Sequence, residues 1–208
     1  MKPPTYSPRR LAALGLVVLC LGQFAAAHAW SLTIAAASQR VFLHVGNGTY
    51  DDDNTTVNLV SANLSAAQLL SGTAQPMTSN STQSRSLYGD NYATCPNPAT
   101  EVMVGASYRR NRNNQPASAT LRVTSPANLV NAAGDTIPFS QISWTVSAPG
   151  SGVPNVIPAG SFNGGTQTLT TVPANRYIEN CHSFIYANSA LRAAGTYNGQ
   201  VTYTLSSP

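Results

Sequence analysis

Charged residues are scarce in this sequence. Asp, Glu, Lys and Arg make up 9% of the 208 residues, and the one lysine is Lys2. Beyond residue 29, eight arginines stand against seven acidic residues, so the excess positive charge lies at the start of the chain. The absence of lysine there excludes lysine Schiff-base chemistry and lysine isopeptide crosslinks. A nearly neutral chain also gives little support for binding to nucleic acid.

Residues that could form a catalytic set are also few. The two histidines beyond residue 29 are His44 and His182, and neither lies in a recognisable motif. His44 lies in an alternating segment, where we expect it to face solvent or a polar edge. His182 directly follows Cys181, so on a strand these two side chains would point to opposite faces. We therefore predict a protein that is not an enzyme and has no cofactor.

Long apolar runs are absent except for one near the start of the chain. Basic residues at Lys2, Arg9 and Arg10 precede an apolar run at 11–21, and small residues follow up to Ala29. This order is typical of a secretory signal peptide, and the run is shorter than the roughly 20 residues of a membrane-spanning helix. We predict a signal peptide at 1–29 and a secreted, periplasmic or cell-surface protein that has no membrane span after cleavage.

Cysteine is rare as well, because only Cys95 and Cys181 follow the predicted signal peptide. In an oxidising compartment, two cysteines favour one disulfide, which would stabilise the fold by about 4 to 5 kcal/mol in the chain-entropy model. The alternatives are a metal site, which would need more ligands than Cys181 and His182, and a catalytic thiol, which needs no second cysteine.

Apolar residues recur with a period of two in several segments of the sequence. Apolar residues alternate with polar ones at 142–147 and at 197–205, and shorter segments of the same kind lie at 32–34, 41–45, 102–104, 121–123 and 184–186. We predict an all-β protein in which residues 30–208 form a single antiparallel β-sandwich, Ig-like or a pilin-like Greek key, with one disulfide. Residues 65–70, with Ser65 as N-cap and Gly72 after the end, predict at most a short helix. Residues 75–92 read as a long surface loop.

One basic cluster follows a predicted strand. Tyr108, Arg109, Arg110 and Arg112 lie between the segments at 102–104 and 121–123, so we predict a hairpin tip. Guanidinium groups beside a tyrosine would suit an anion or a glycan, whereas a charged solvated loop is the simpler alternative.

Acidic residues offer two weaker candidates for a site. Asp51, Asp52 and Asp53 could hold a calcium ion through oxygen ligands, although their spacing is not that of an EF-hand and a solvated turn is the alternative. A carboxylate pair for glycoside hydrolysis is conceivable, but no spacing brings any two of the candidates together. These candidates are Asp90, Glu101, Asp135 and Glu179.

Two resemblances bear on the fold. The order Cys95, Trp144, Cys181 resembles that of an immunoglobulin domain, with Glu179 at the tyrosine-corner position. The ending at 194–205 resembles the final strand of secreted fimbrial subunits and spore-coat-U-like proteins. That resemblance implies strand exchange between subunits, with Leu32 and Ile34 as donor-strand residues. The cysteine pair usual near the N-terminus of that family is not present here.

These observations predict a non-enzymatic exported β-sandwich that is structural or adhesive at the cell surface or in the periplasm. It could be a fimbrial-type subunit, with other subunits or a surface glycan as partner and no nucleic acid. The alternatives are a carbohydrate-binding module and a secreted hydrolase without a recognisable motif.

Overall fold

The computed structural model describes residues 30–48, 57–86, 88, 93–147 and 156–208. One α-helix lies in this part of the chain, α1 (Ala66–Ser71), and a 3-10 turn spans Phe139–Gln141. The strands are β1 (Trp30–Thr33), β2 (Arg40–Val45), β3 (Val60–Ser61), β4 (Gln75–Pro76), β5 (Thr78–Ser79), β6 (Val102–Arg109), β7 (Ser118–Thr124), β8 (Asn128–Val130), β9 (Thr136–Pro138), β10 (Ile142–Ser147), β11 (Gly160–Ser161), β12 (Thr166–Pro173), β13 (Arg176–Tyr186) and β14 (Thr202–Ser206).

All of the paired strands run antiparallel. The large sheet has seven strands, in the order β11-β10-β13-β6-β2, and β1 and β4 also pair with β13. A small sheet has the order β12-β7-β14, and the pairs β3-β5 and β8-β9 form two further ribbons. Every short segment predicted from alternation lies wholly or partly in a strand. The all-β class, the disulfide and the short helix are confirmed.

The large and small sheets share one apolar core. Alternate residues of β7, including Leu121 and Val123, are buried in the same cluster as Val104 of β6 and Trp144 of β10. Their polar neighbours on β7 face outward, as period-two burial requires. We call the face of the large sheet that meets this core its inner face and the opposite face its outer face.

The central strands β13 and β6 are buried on both faces. Seven consecutive residues of β6 are buried, and so are the residues from Tyr177 to His182 of β13. The outer face of β13 is covered by residues 81–86 and 93–101, which we call the covering segment, because that segment bonds to Glu179 and Cys181. A polar side chain on either face of β13 is therefore removed from water.

The helix α1 begins and ends where the sequence predicts. The Ser65 hydroxyl accepts a hydrogen bond from the Gln68 backbone N–H at 3.2 Å, and the Gln68 side chain accepts one from Ser65 N–H at 2.9 Å. This reciprocal pair is a capping box. Gly72 ends the helix with φ of +62°, a left-handed conformation that glycine adopts without steric cost.

The last strand is shorter than predicted, because β14 begins at Thr202 and not at Tyr197. Asn198 exchanges two 3.0 Å backbone hydrogen bonds with Val130 instead, so the chain pairs elsewhere before it enters the small sheet. A Cβ atom added at Gly199 would lie 2.7 Å from the Phe139 ring. The backbone at Gly199 therefore approaches this ring closely.

The prediction of a long surface loop at 75–92 is wrong for residues 75–79, whereas residues 80–86 and 88 form no helix or strand and about half of them are exposed. Residues 75–79 contain β4 and β5, and Met77 is buried in the main core. Ser81 and Ser86 are buried as well. The polar composition of this stretch reflects hydrogen bonds inside the protein, because several of its hydroxyl groups bond to other protein groups and not to solvent.

In the described part of the chain, no helix combines the length and the apolar character that crossing a membrane would require.

Shortening Leu121 tests the shared core. This side chain is fully buried in the middle of the small sheet, so Leu121→Ala should lower the free energy of unfolding by about 2 to 5 kcal/mol. The matched control Leu191→Ala removes the same atoms from a side chain that is 66% exposed, and should cost less than about 0.5 kcal/mol. Urea unfolding measures both. If the two substitutions lower the free energy of unfolding equally, Leu121 is not in a buried core.

Candidate functional site

The disulfide attaches the covering segment to the central strand. Cys95 and Cys181 are bonded at 2.03 Å, both are fully buried, and Met103 packs with them. The carboxylate of Glu101 lies within 4.8 Å of both sulfur atoms. Because the two sulfurs are bonded to each other, neither offers the thiolate that a metal ion would bind.

Next to the disulfide lies a buried carboxyl group with three hydroxyl partners. Glu179 is 0% exposed, and its oxygens accept hydrogen bonds from Thr94 at 2.5 Å, from Ser86 at 3.1 Å and from the Tyr177 hydroxyl. Thr94 and Ser86 belong to the covering segment. The carboxyl group therefore joins this segment to β13 at a second point, two residues from the disulfide.

His44 faces the same outer layer. In the strand register, His44 of β2 and Glu179 of β13 both lie opposite Gly105 of β6, so the three residues form one row across the sheet. His44 is 1% exposed, and the expectation that it faces solvent is wrong. The physical reason is the covering layer: the outer face of β2 lies beneath other parts of the chain, among them the turn that carries Gly48.

A glycine at the centre of this row leaves room for Tyr177. The Tyr177 hydroxyl lies 2.8 Å from the position that a Cβ atom of Gly105 would occupy. It therefore sits above Gly105, where it donates to Glu179. Any larger residue at 105 would push this hydroxyl away from the carboxyl group.

Burial shifts the pKa values of the two titratable groups of the row in opposite directions. It raises the pKa of the Glu179 carboxyl, and the hydrogen bonds from Thr94, Tyr177 and Ser86 oppose that rise. It lowers the pKa of His44, against a smaller effect of a backbone hydrogen bond with Gly48. Both shifts favour the uncharged form, because a buried charge without an opposite charge is costly.

His182 lies on the inner face, away from the disulfide, as the adjacency of Cys181 and His182 predicts. Its ring stacks parallel to Trp144 at 6.2 Å between centroids, and its Nδ1 lies 3.4 Å from the Tyr203 hydroxyl of β14. No described residue bonds its Nε2. Desolvation lowers the pKa of His182 to about 3, so the ring is neutral near neutral pH.

The basic cluster at 109–112 is not the tip of a hairpin. β6 belongs to the large sheet and β7 to the small sheet, so the connection between them crosses from one sheet to the other. The prediction failed because two strands that follow each other in sequence need not pair.

The side chains of this cluster are largely engaged with the backbone. Tyr108 is 0% exposed and its hydroxyl donates to the Pro116 carbonyl at 3.0 Å, so it is not available to a ligand. Arg109 donates two hydrogen bonds to the Ala35 carbonyl, and Arg110 donates to the carbonyl of Gln115. Arg112 remains exposed.

The proposed donor residues pair with their own chain in this structure. Leu32 of β1 lies opposite Tyr177 of β13, and Ile34 donates a backbone hydrogen bond to the Asn175 carbonyl at 3.1 Å. Leu32 is 38% exposed. A role for these residues in strand exchange stays a prediction.

Where the two sheets meet along β2 and β14, they leave an apolar groove of about 280 Å³. Its lining comes from two edge strands: Val41, Leu43, Tyr203, Thr204 and Leu205. Among the described strands, β2 pairs only with β6 and β14 only with β7, so each is an edge strand. Val41 and Leu43 belong to the core face but are only half-buried, which means that the core is incompletely covered here.

Several predicted features lie outside the described residues. These are the signal peptide at 1–29 and the candidate calcium ligands Asp51, Asp52 and Asp53, together with Asp90. The pairing of two carboxylates stays without support, because Asp135 hydrogen-bonds to Asn131 beside a turn and Glu101 and Glu179 contact different groups.

The hydroxyl partners of Glu179 were missed by sequence reasoning. One signal was available: Tyr177, Glu179 and Cys181 follow each other at intervals of two, so they share one face of a strand. A carboxyl group next to a buried disulfide must find donors. Ser86 and Thr94 carried no such signal, because only the folded chain brings them to β13.

The fold and the site define a class: an all-β protein whose central strand is bonded to a covering segment by a disulfide and a buried carboxyl group. Comparisons with protein-family models, with curated proteins and with solved structures found no match for this chain.

Replacing Gly105 by alanine should break the contact between Tyr177 and Glu179. We expect Gly105→Ala to cost about 1 to 3 kcal/mol, because the added methyl group displaces a buried hydroxyl from its acceptor. In a Tyr177→Phe background that hydroxyl is gone, and the same change should cost clearly less. Urea unfolding of the four proteins of this double-mutant cycle gives the coupling. Strictly additive changes in the free energy of unfolding would contradict the close contact between Gly105 and the Tyr177 hydroxyl.

His182 should make the protein less stable in acid. Its folded pKa of about 3 lies below the unfolded value of 6.5, so the unfolded chain takes up the proton first and stability falls as pH drops from about 6.5 towards 3. His182→Phe should reduce the loss between pH 7 and pH 4.5 by about 2 to 3 kcal/mol. Urea unfolding of both proteins at these two pH values checks this. If both proteins lose the same stability between pH 7 and pH 4.5, His182 is solvated and the prediction is wrong.

Proposed function

We propose that this protein is a non-enzymatic, exported β protein with a structural or adhesive role, which assembles by taking a strand of another subunit into the groove between β2 and β14. The observation that carries the proposal is the groove itself. Two edge strands border it, and apolar core side chains are incompletely covered along it. An inserted strand would complete both the hydrogen bonding and the core at once.

The geometry of the groove suits a single extended strand. The side chain of Gln39, just before β2, donates to the hydroxyl of Ser207, just after β14, at 3.2 Å. The start of one border therefore lies beside the end of the other, and the two strands run in opposite directions. A strand inserted between them would pair parallel to one border and antiparallel to the other.

Export to an oxidising compartment is supported by two features. Residues 1–29 have the pattern of a signal peptide. Disulfides such as Cys95–Cys181 persist mainly in proteins outside the cytoplasm. A surface or periplasmic location follows from the same reasoning.

A non-enzymatic role is supported by the burial of the titratable cluster. Glu179 and Thr94 are 0% exposed and His44 is 1% exposed, so a substrate could reach them only if the covering segment opened. The hydrogen bonds of Glu179 are made with Tyr177 of its own strand and with Ser86 and Thr94 of the covering segment, as in a structural network.

The strand β1 is suited to act as the donor. It lies at an edge of the large sheet, beside the part of β13 that β10 does not reach. Polar contacts hold it there: Arg176 donates to the Thr33 hydroxyl, and Arg109 donates to the Ala35 carbonyl. Releasing β1 would also break its four-residue ladder with β13, and the same backbone groups could pair again in the groove of another subunit.

Intermolecular crosslinking tests the assembly. Mature protein with Thr33→Cys, whose side chain lies on the face opposite to Leu32 and Ile34, is mixed with a mass-tagged partner that carries Thr204→Cys, an exposed position at the groove. A disulfide-linked heterodimer is expected on a non-reducing gel. The matched control uses Ala190→Cys, which is also exposed but lies outside the groove lining, and it should not crosslink.

A negative crosslinking result would overturn the proposal. If the mature protein stays monomeric at high concentration and Thr204→Cys crosslinks no better than Ala190→Cys, the groove does not receive a strand.

A further inference from the structure

The outer face of the small sheet is a grid of hydroxyl side chains. The strand register places its residues in three rows, each of which crosses β12, β7 and β14. The rows are Thr166, Thr124 and Thr202, then Thr168, Arg122 and Thr204, and then Thr171, Thr120 and Ser206. Eight of these nine positions carry a hydroxyl group, and the central one carries a guanidinium.

The grid is open to solvent. Six of its threonines are exposed, and Thr120, Arg122 and Ser206 are half-buried. In a sheet, neighbouring strands lie about 4.8 Å apart and alternate residues of one strand about 6.8 Å apart. The grid positions on β7 and β14 follow this spacing, whereas a register shift between Thr168 and Thr170 interrupts it on β12. The hydroxyls of Thr124 and Thr166 lie 2.9 Å from each other, which shows that adjacent members are in contact.

Strand propensity alone does not account for this composition. An exposed strand face accepts valine, isoleucine and tyrosine as readily as threonine, and solvation alone accepts glutamine. None of these residues occurs at the nine positions. The face is therefore specialised towards short side chains that combine a hydroxyl with a methyl group.

The one charge of the grid lies at its centre. The Arg122 guanidinium donates to the Ser206 hydroxyl at 2.9 Å and has no other hydrogen-bond partner in the described part of the chain. A guanidinium carries five N–H donors, so most of them remain available. No position of the grid carries a carboxylate that would neutralise Arg122.

We propose that this face binds an acidic polysaccharide. A polyuronate chain offers repeated hydroxyl groups that can exchange hydrogen bonds with the threonine grid, and carboxylates that a guanidinium binds through two parallel hydrogen bonds. The charge complementarity selects an acidic glycan over a neutral one. This site shares Thr204 with the lining of the groove between β2 and β14, but it does not depend on strand exchange.

Binding to immobilised polygalacturonate, with dextran as the neutral reference, tests the assignment. Arg122→Gln should weaken binding at least ten-fold. Thr166→Val and Thr168→Val keep the shape and the strand propensity but remove a hydroxyl, and each should weaken it about three-fold. Raising the salt concentration should weaken the wild-type interaction, because the charged contact is solvent-exposed.

Two matched controls lie elsewhere on the molecule. Arg112→Gln removes an exposed guanidinium from the connection between β6 and β7, and Thr145→Val removes an exposed hydroxyl from β10. Both should bind like the wild type. The threonine variants keep the test decisive if Arg122→Gln does not fold.

The assignment is overturned by any of three results: no binding of polygalacturonate, equal binding of dextran, or a loss of binding in Arg112→Gln that Arg122→Gln does not show.

Discussion

The structure depends on the burial of β13 on both of its faces. Alternate residues of this strand serve two layers: His182 and Ile178 contribute to the inner core, whereas Glu179 and Cys181 contribute to the outer layer. Each polar group on the strand must therefore find a partner inside the protein or lose its charge. The disulfide, the hydroxyl partners of Glu179 and the low pKa of His182 are all consequences of that constraint.

The two sheets differ in how many polar side chains they expose to solvent, because their faces are covered to different extents. The central strands β6 and β13 of the large sheet are covered on both faces, and the carboxyl group of Glu179 is engaged internally. The small sheet is covered on one face only, so its other face keeps an alternating pattern and presents polar side chains to solvent. Contacts with other molecules are thus expected from the small sheet and from the groove at its edge, not from the buried cluster.

Sequence reasoning succeeded where a local rule decides the structure. Period-two alternation located the strand at 142–147, Ser65 and Gly72 marked the ends of the helix, and the cysteine count identified the disulfide. It failed where distant contacts override local pattern. His44 is buried because other parts of the chain cover β2, and the stretch at 197–201 leaves the strand pattern because Asn198 pairs with Val130. The grid on the small sheet needed the register between strands, which no single strand reveals.

The disulfide also fixes the register of the central strand β13. Because successive side chains of a strand point to opposite faces, a slip of β13 by one residue would exchange the members of its two layers. Glu179 would then enter the apolar core, and His182 would lie beneath the covering segment. The bond from Cys181 to Cys95 fixes which face each residue takes, so the oxidised chain disfavours this alternative register.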